Sequence, residues 1–280
     1  MMKQNHGYQV SLMCQILEVS RSGYYRWRNR PMSSRHQRRE LVKSAVVETY
    51  HQFKSRYGSP RITTELNAAG ISCSKNHVAR LLAESGFKAR NGKGFKYSKV
   101  SPSSYHVSEN LLKRDFSARS PNEKWVTDIT YIYVNGKWLY LSVVMDLYSR
   151  AIVGWAIDTQ MTESLICDSL DMAVSRRSMG KNLLVHSDRG VQYRSHRYRE
   201  RLLSYGCRIS MSRRSNCWDN AVIESFFSRL KVELIFAEKF ATLDEARTAI
   251  FEYIEVFYNR VRRHSANGYL SPMQYEKLGT

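Results

Sequence analysis

Asn135-Gly136 separates two β-rich runs. That dipeptide is the strongest short signal for a two-residue hairpin, because both central positions of the favoured turn need positive φ. The run before it is W-V-T-D-I-T-Y-I (125–132), and the run after it is K-W-L-Y-L-S-V-V-M-D (137–146). A third apolar run, A-I-V-G-W-A-I (151–157), follows at once. Three successive strands so closely joined are expected to pair antiparallel. The pattern then alternates: a helix over 162–178, a strand over 182–187, a helix near 196–204, a short strand over 207–211 and a helix from about 219. A last helix is expected over 242–263, with apolar residues at 243, 246, 250, 254 and 257.

Hairpins followed by alternating strands and helices predict an α/β fold, with a mixed five-stranded sheet and flanking helices. That is the element order of a ribonuclease-H-like fold. Three carboxylates sit awkwardly within it. Asp128 interrupts the first strand, Asp188 ends the run N-L-L-V-H-S-D (182–188), and Glu224 lies in W-D-N-A-V-I-E-S-F-F-S-R-L-K (218–231). A carboxylate in a half-buried strand is costly unless it is paired or bound to a cation. On the Glu224 helix, Ile223, Phe227, Leu230 and Leu234 share one face at the 3.6-residue period, and Glu224, Ser228 and Lys231 share its flank. The helix therefore packs on the sheet and turns a carboxylate to the sheet edge. Asp219 is expected to cap it. Carboxylates from two strand ends and a helix can hold two divalent ions, which at roughly 3.5–4 Å apart clamp the attacking and leaving oxygens of a phosphoryl displacement.

Charge points to the phosphate. The chain is 280 residues long with net charge +19, and residues 1–120 carry +15 of it. That front is the expected footprint on a polyanion. No stretch approaches the roughly 18 apolar residues of a spanning helix, and there is no signal-peptide core. Five cysteines (14, 73, 167, 207, 217) form no C-x-x-C pair and do not combine with the histidines at zinc spacing. They suit reduced thiols in a cytosol.

The front reads as a basic helical region over 1–56, a helix-turn-helix-like segment over 57–90 and a basic linker over 91–120, before a catalytic core over 121–280. Ser11 is expected to cap a first short helix. In the second segment Ser59 is expected to cap one helix, with Pro60 after it and Gly70 stopping it; Ser74 caps the next, stopped by Gly86. Lys75, Asn76, His77 and Arg80 then lie near the start and outer face of the second helix, where they can meet phosphates and base edges.

The motifs H-S-D-R-G-V-Q-Y (186–193), Y-N-R-V-R-R-H-S (258–265) and G-Y-L-S-P-M-Q-Y (268–275) stand with a 35-residue gap from Asp188 to Glu224 and with Lys231 seven residues beyond. Together with Y-G-S-P-R-I (57–62), this set resembles the second-frame (OrfB) transposases of the bacterial insertion-sequence-three family, whose core is similar to retroviral integrase. The resemblance spans nearly the whole chain. It implies that Asp128, Asp188 and Glu224 form a DDE set binding Mg²⁺ or Mn²⁺, two ions per site. It implies cleavage at element ends and transfer of the 3′-OH into target DNA. The implied partners are terminal inverted repeats and target DNA, a second copy of the chain on DNA, and a first-frame (OrfA) partner or fusion, but no membrane. The implied location is the bacterial cytoplasm, with the nucleoid. The zinc-binding HHCC module of retroviral integrases is not found.

Beside the triad, His186 orients Asp188, touches DNA or fills the core, and Asn220 supports the site. Gln192 is a candidate to hydrogen-bond a DNA end, and Lys231 to hold the entering strand. Trp218 reads as core packing. Tyr258, Asn259, Arg262, Arg263 and His264 either contact phosphates or solvate a helix end. A nuclease for RNA–DNA hybrids is the first alternative, opposed by the 35-residue gap, Lys231 and the basic front. A DNA-binding regulator without turnover is the second, opposed by the presence of all three carboxylates.

Overall fold

A computed structural model describes residues 9–90, 108–180, 182–213 and 217–279, with only the backbone of 217 and 218. The side chain of Trp218 thus lies outside the described residues. The chain forms two compact units, 1–88 and 89–280.

The first unit is helical: α1 (Val10–Ile16), α2 (Arg21–Arg28), α3 (Ser34–Gln52), α4 (Ser59–Ala68) and α5 (Lys75–Glu84). Ser20, Ser33 and Ser74 each accept a backbone N–H from the first turn of α2, α3 and α5. Ser11 lies inside α1, whose N-cap is Gln9. Ser59 is the first residue of α4, and Gly58 takes the cap position. Gly70 (φ +80°) and Gly86 (φ +72°) turn the chain out of α4 and α5. The expected helix pair is part of a larger packing unit, because α3 lies against both α4 and α5. Val42, Val46, Ile62, Leu66, Val78 and Leu81 are buried between the three.

The second unit holds a five-stranded sheet in the order β3-β2-β1-β4-β5. Its strands are β1 (Lys124–Val134), β2 (Lys137–Asp146), β3 (Ile152–Asp158), β4 (Leu184–Ser187) and β5 (Arg208–Met211). β1, β2 and β3 are antiparallel neighbours, whereas β4 runs parallel to both β1 and β5. Asn135 (φ 44°) and Gly136 (φ 82°) make the hairpin turn.

Helices cover both faces. On one, α6 (Glu163–Arg176) and α7 (His196–Ser204) pack over Trp125, Val144, Val153 and Val185. α6 approaches β3 so closely that a Cβ on Gly154 would stand 2.1 Å from the Ser169 carbonyl oxygen, which excludes any other residue there. On the other face, α8 (Ala221–Leu230) and α9 (Leu243–Phe251) bury Ile223, Phe227, Leu230 and Ile250 against Val126, Ile132, Leu139 and Leu141. α10 (Pro272–Leu278) closes the chain behind a capping box of Ser271 and Gln274.

Three expectations change. The last helix is not regular over 242–263: α9 gives way to a π-helical segment at Glu252–Tyr258. The first part of the linker expected over 91–120, residues 91–107, lies outside the described residues. Its remainder packs on the sheet: Leu111 and Leu112 donate their N–H groups to Ser210 Oγ (2.9 and 3.2 Å), and the Leu112 side chain is buried.

Third, Arg262 is not a DNA contact. It is 2% exposed, and its guanidinium donates through Nη2 to Glu233 Oε1 (2.6 Å) and through Nε to Oε2 (2.9 Å). The Tyr253 hydroxyl donates to the same carboxylate (2.9 Å). This buried pair ties the segment after α8 to the end of the α9 region. Removing one partner of such a pair strands a charge in the core and costs about 3–5 kcal/mol. Urea unfolding of Glu233→Ala should show a loss of about that size, whereas replacing both residues with apolar ones should lose far less. A loss under about 1 kcal/mol in Glu233→Ala would contradict the assignment.

Candidate active site

β1 pairs with β4 only over Lys124–Val126. From Thr127 onward its edge on the β4 side carries no strand. β4 ends at Ser187, so Asp188 leaves the sheet beside that open edge, and α8 packs against β1 with Glu224 in its first turn. Asp128, Asp188 and Glu224 are thereby brought to the same edge of the sheet, all three half-buried.

Their electrostatics record the meeting. Asp128 is held well above the ordinary carboxylate range, first by burial and then by the Asp188 charge, with Glu224 adding to the shift. The N–H of Ile129, which donates to Asp128 Oδ1 (2.8 Å), and the Lys231 ammonium oppose it. Asp188 is also raised by burial, against the Gly190 N–H (2.8 Å to Oδ1) and the Arg194 charge. Gly190 allows that contact, because a Cβ there would stand 2.9 Å from the carboxylate oxygen. Asp146, at the end of β2, is a useful contrast. It too is raised by burial, but the N–H groups of Asn122 (2.7 Å) and Tyr148 (2.9 Å) satisfy both its oxygens.

Lys231 stands near enough to this centre for its charge to act on Asp128. α8 ends at Leu230, and a π-helical segment runs from Lys231 to Ile235. The Lys231 side chain turns inward: it is 6% exposed, with its ammonium 4.9 Å from the centre of the Tyr131 ring. Burial lowers its pKa, and the Asp128 charge partly restores it.

His186 is 0% exposed, so it does not touch DNA. Ser210 Oγ already accepts two backbone N–H groups, and its own proton therefore goes to His186 Nδ1 (2.7 Å). Burial pushes the imidazole down to about 4, so it is neutral, with its hydrogen on Nε2. The ring's other side faces Asp219 and Asn220, outside regular hydrogen-bond geometry at Nε2. His186 is a core strut between β4, β5 and the turn before α8.

Asp219 does not cap α8; Asn220 holds that position. Asp219 is fully buried, and its carboxylate accepts from Arg114 Nε (2.9 Å), the Arg213 N–H (2.9 Å) and Asn110 Nδ2 (2.9 Å). Burial alone would raise it, but the Arg213 and Arg114 contacts hold it far below the usual range. This knot fixes the entry to α8, and the sequence pattern gave no sign of it.

The remaining candidates divide. Gln192 stands beside the Asp188 loop and donates to the Met161 carbonyl (3.1 Å). Lys75, Asn76 and Arg80 are exposed at the start of α5, on the first unit. Arg263 donates to the Tyr269 carbonyl (3.1 Å). Tyr258 and Asn259 are buried, and Asn259 pairs through its amide with both backbone groups of Ile152. Tyr193, whose hydroxyl meets Thr127 Oγ1 (3.2 Å), and Tyr131, which neighbours the site only through the Lys231 ammonium, were missed. Both look like ordinary strand and loop aromatics in sequence.

Two family models of the integrase core domain match residues 118–217 and 224–278, and an HTH-like domain model matches 36–94. The transposase InsF of insertion sequence IS3A from Escherichia coli K12 is 45% identical, over 98% of this chain and 96% of its own length. The chain belongs to the IS3 transposase family. An insertion element IS600 protein of 31 kDa from Shigella sonnei is 39% identical over 95% of this chain and 97% of its own length. Among solved structures, the catalytic core of HTLV-2 integrase in complex with magnesium aligns at TM-score 0.44 and 18% identity, covering 56% of this chain and 97% of that one.

The protein is thus a DNA transposase with an integrase-type core of a metal-dependent family and an HTH-like region. The nuclease and non-catalytic readings are not favoured. Among the described residues, no helix is long and apolar enough to cross a membrane.

The donor chemistry at the candidate site fits a hard divalent cation: three carboxylates, no thiol, and mutual repulsion that a cation relieves. Among the described residues no three such side chains already stand in ligating geometry.

The sign of the pH effect follows. A carboxylate raised in the folded state binds protons more tightly there than in the unfolded chain, so metal-free stability falls as pH rises through the raised value. Asp128→Asn should therefore melt higher than wild type in chelator at about pH 8, by roughly 2–4 °C per kcal/mol of relieved repulsion, and the difference should vanish in acid. Mg²⁺ should raise the wild-type melting temperature, more so at higher pH because protons compete for the oxygens. Equal melting of the two proteins across the range would contradict the clustering.

Proposed function

We propose that Asp128, Asp188 and Glu224 are the catalytic carboxylates of the transposase and hold two Mg²⁺ or Mn²⁺ ions. The observation that carries this reading is the convergence of three carboxylates from separate elements: Asp128 on β1, Asp188 just past the end of the adjacent β4, and Glu224 in the first turn of α8, which packs on β1. When bound, such ions supply a Lewis acid that activates the attacking hydroxyl and steadies the leaving oxygen of an in-line displacement.

The chain's own residues do the positioning. β1 and β4 fix two carboxylates on adjacent strands, and the Gly190 N–H orients Asp188. His186 with Ser210, and Asp219 with Arg213 and Arg114, hold the strand ends and the entry to α8, so that Glu224 stays aimed at the edge. Lys231 places a positive charge over Tyr131, next to Asp128, where the phosphate of an entering strand gains from it. Gln192, on the Asp188 loop, and Arg263 are kept as further candidates for strand contacts.

On this reading the first hydrolysis frees a 3′-OH at each element end, and that hydroxyl then attacks a phosphodiester of target DNA. Lys75, Asn76 and Arg80 in the HTH-like region are assigned to the terminal repeats. A second copy of the chain on DNA and a first-frame partner complete the assembly, in the bacterial cytoplasm at the nucleoid.

Asp188→Asn and Glu224→Gln should each abolish end cleavage and joining while leaving DNA affinity close to wild type. Lys231→Ala should weaken DNA and flatten the salt dependence by about one unit of slope, without changing the metal requirement. Lys231→Arg keeps the charge over Tyr131 and should recover most of the loss. Gel assays of end cleavage across a Mg²⁺ titration check all four variants. Turnover in either carboxylate variant would overturn the site assignment.

A further inference from the structure

Beyond Asp128, the same hairpin carries a face with no part in the metal chemistry. Tyr131 pairs with Tyr140 and Tyr133 with Trp138 across β1 and β2, so these side chains share one side of the sheet. α6 covers the inner part of that side, where Ser169 meets Ser142 (2.7 Å). Toward the tip, Tyr131, Tyr133 and Trp138 are 49, 58 and 47% exposed. Trp138 stands between the tyrosines, with ring centres 5.5 Å from Tyr131 and 4.8 Å from Tyr133.

The rings are held firmly from behind. Ile132, Val134 and Leu139, alternating with them, are buried in the core. At the tip, Asn135 Nδ2 donates to the Ala241 carbonyl (2.9 Å). Cross-strand aromatic pairing by itself stabilises a hairpin. It does not call for half of three large rings to face water beside a lysine ammonium.

We propose that Tyr131, Tyr133 and Trp138 form a stacking platform for unpaired nucleobases of the DNA strand that enters the site at Asp128. This rests on the assignment of Asp128 to strand chemistry. Tyr131 lies three residues along β1 from Asp128, about 10 Å at the usual strand rise, and the odd separation puts the two on opposite sides of the sheet. β4 leaves the β1 edge open between them, and Lys231, beside Asp128 with its ammonium 4.9 Å from the Tyr131 ring, spans that edge, so a strand that rounds it carries its next unpaired bases onto the rings. Every base has a π-face, and stacking on aromatic rings is tolerant of sequence. Lys231 over Tyr131 adds a charge for the backbone of the same strand. A paired base hides its faces inside the duplex. The platform therefore takes frayed or overhanging nucleotides and favours ends over continuous duplex.

The test uses the full chain in chelator, so that no strand is cut, and fluorescence anisotropy with labelled DNA. Three probes are compared: a blunt duplex, the same duplex with a short single-stranded extension, and that extension built of abasic sites. Wild type should prefer the natural extension to the other two. Trp138→Ala should lose between about 5- and 100-fold on the natural extension and little on the others, and Trp138→Phe should recover most of it. Tyr133→Ala provides a second variant should Trp138→Ala fail to fold.

Equal losses on all three probes would overturn the platform. So would an unchanged affinity accompanied by a smaller sedimenting species, which would mean that another copy of the chain covers the rings. Wild type that binds none of the probes would instead defeat the underlying DNA-strand reading.

Discussion

Asp128 sits in a strand that pairs with β2 along its whole length but with β4 only at its first three residues. That mismatch opens an edge in the middle of the sheet, and the edge lets carboxylates from β4 and α8 reach Asp128. The gathering is unfavourable in itself, since burial and like charge both raise Asp128. The surrounding structure holds it in place. β1 is locked between a long antiparallel partner and the α8 face, Asp188 is tethered by the Gly190 N–H, and α8 is anchored by the fully buried Asp219 with its arginines. The Glu233–Arg262 pair fixes the segment that follows α8. Two ion-pair knots thus bracket the helix carrying Glu224, and both are structural.

Much of this was legible in sequence, for identifiable reasons. Asn135-Gly136 permits few conformations, so the hairpin and the antiparallel start of the sheet followed directly. The apolar face of α8 read correctly because Ile223, Phe227 and Leu230 keep the helical period. The three carboxylates stood out because charges inside apolar runs need a reason. What failed was whatever depended on tertiary pairing. Arg262 looks like any arginine in a basic stretch, and only the fold shows Glu233 opposite it, twenty-nine positions away. Asp219 has the chemistry of a cap but is captured by Arg213 and Arg114. Periodicity assumes regular turns, so the π segment after α9 blurred the last helix. The end of the expected linker, 108–120, is polar in composition yet bonded to Ser210.

The two units divide the work in a way the charge already suggested. The excess of positive charge lies in the first 120 residues, whereas the carboxylates lie beyond them. Electrostatic attraction to DNA falls off within about a Debye length and reads little sequence. On the proposed reading, a basic helical unit with Lys75, Asn76 and Arg80 exposed on one helix supplies affinity for a polyanion that the carboxylates themselves repel, and Lys231, turned inward over Tyr131, is its local counterpart.

The central claim is that residues from β1, the end of β4 and α8 surround one metal site. Iron-directed cleavage tests it most directly: Fe²⁺ is added in place of Mg²⁺ with hydrogen peroxide and ascorbate, and the hydroxyl radicals formed as the bound ion reduces peroxide cut the nearest backbone. The account predicts cuts in three separate stretches, around residues 128, 188 and 224, all suppressed by excess Mg²⁺ and all lost together in Asp128→Asn. Cuts confined to one stretch, or cuts that persist in Asp128→Asn, would contradict it.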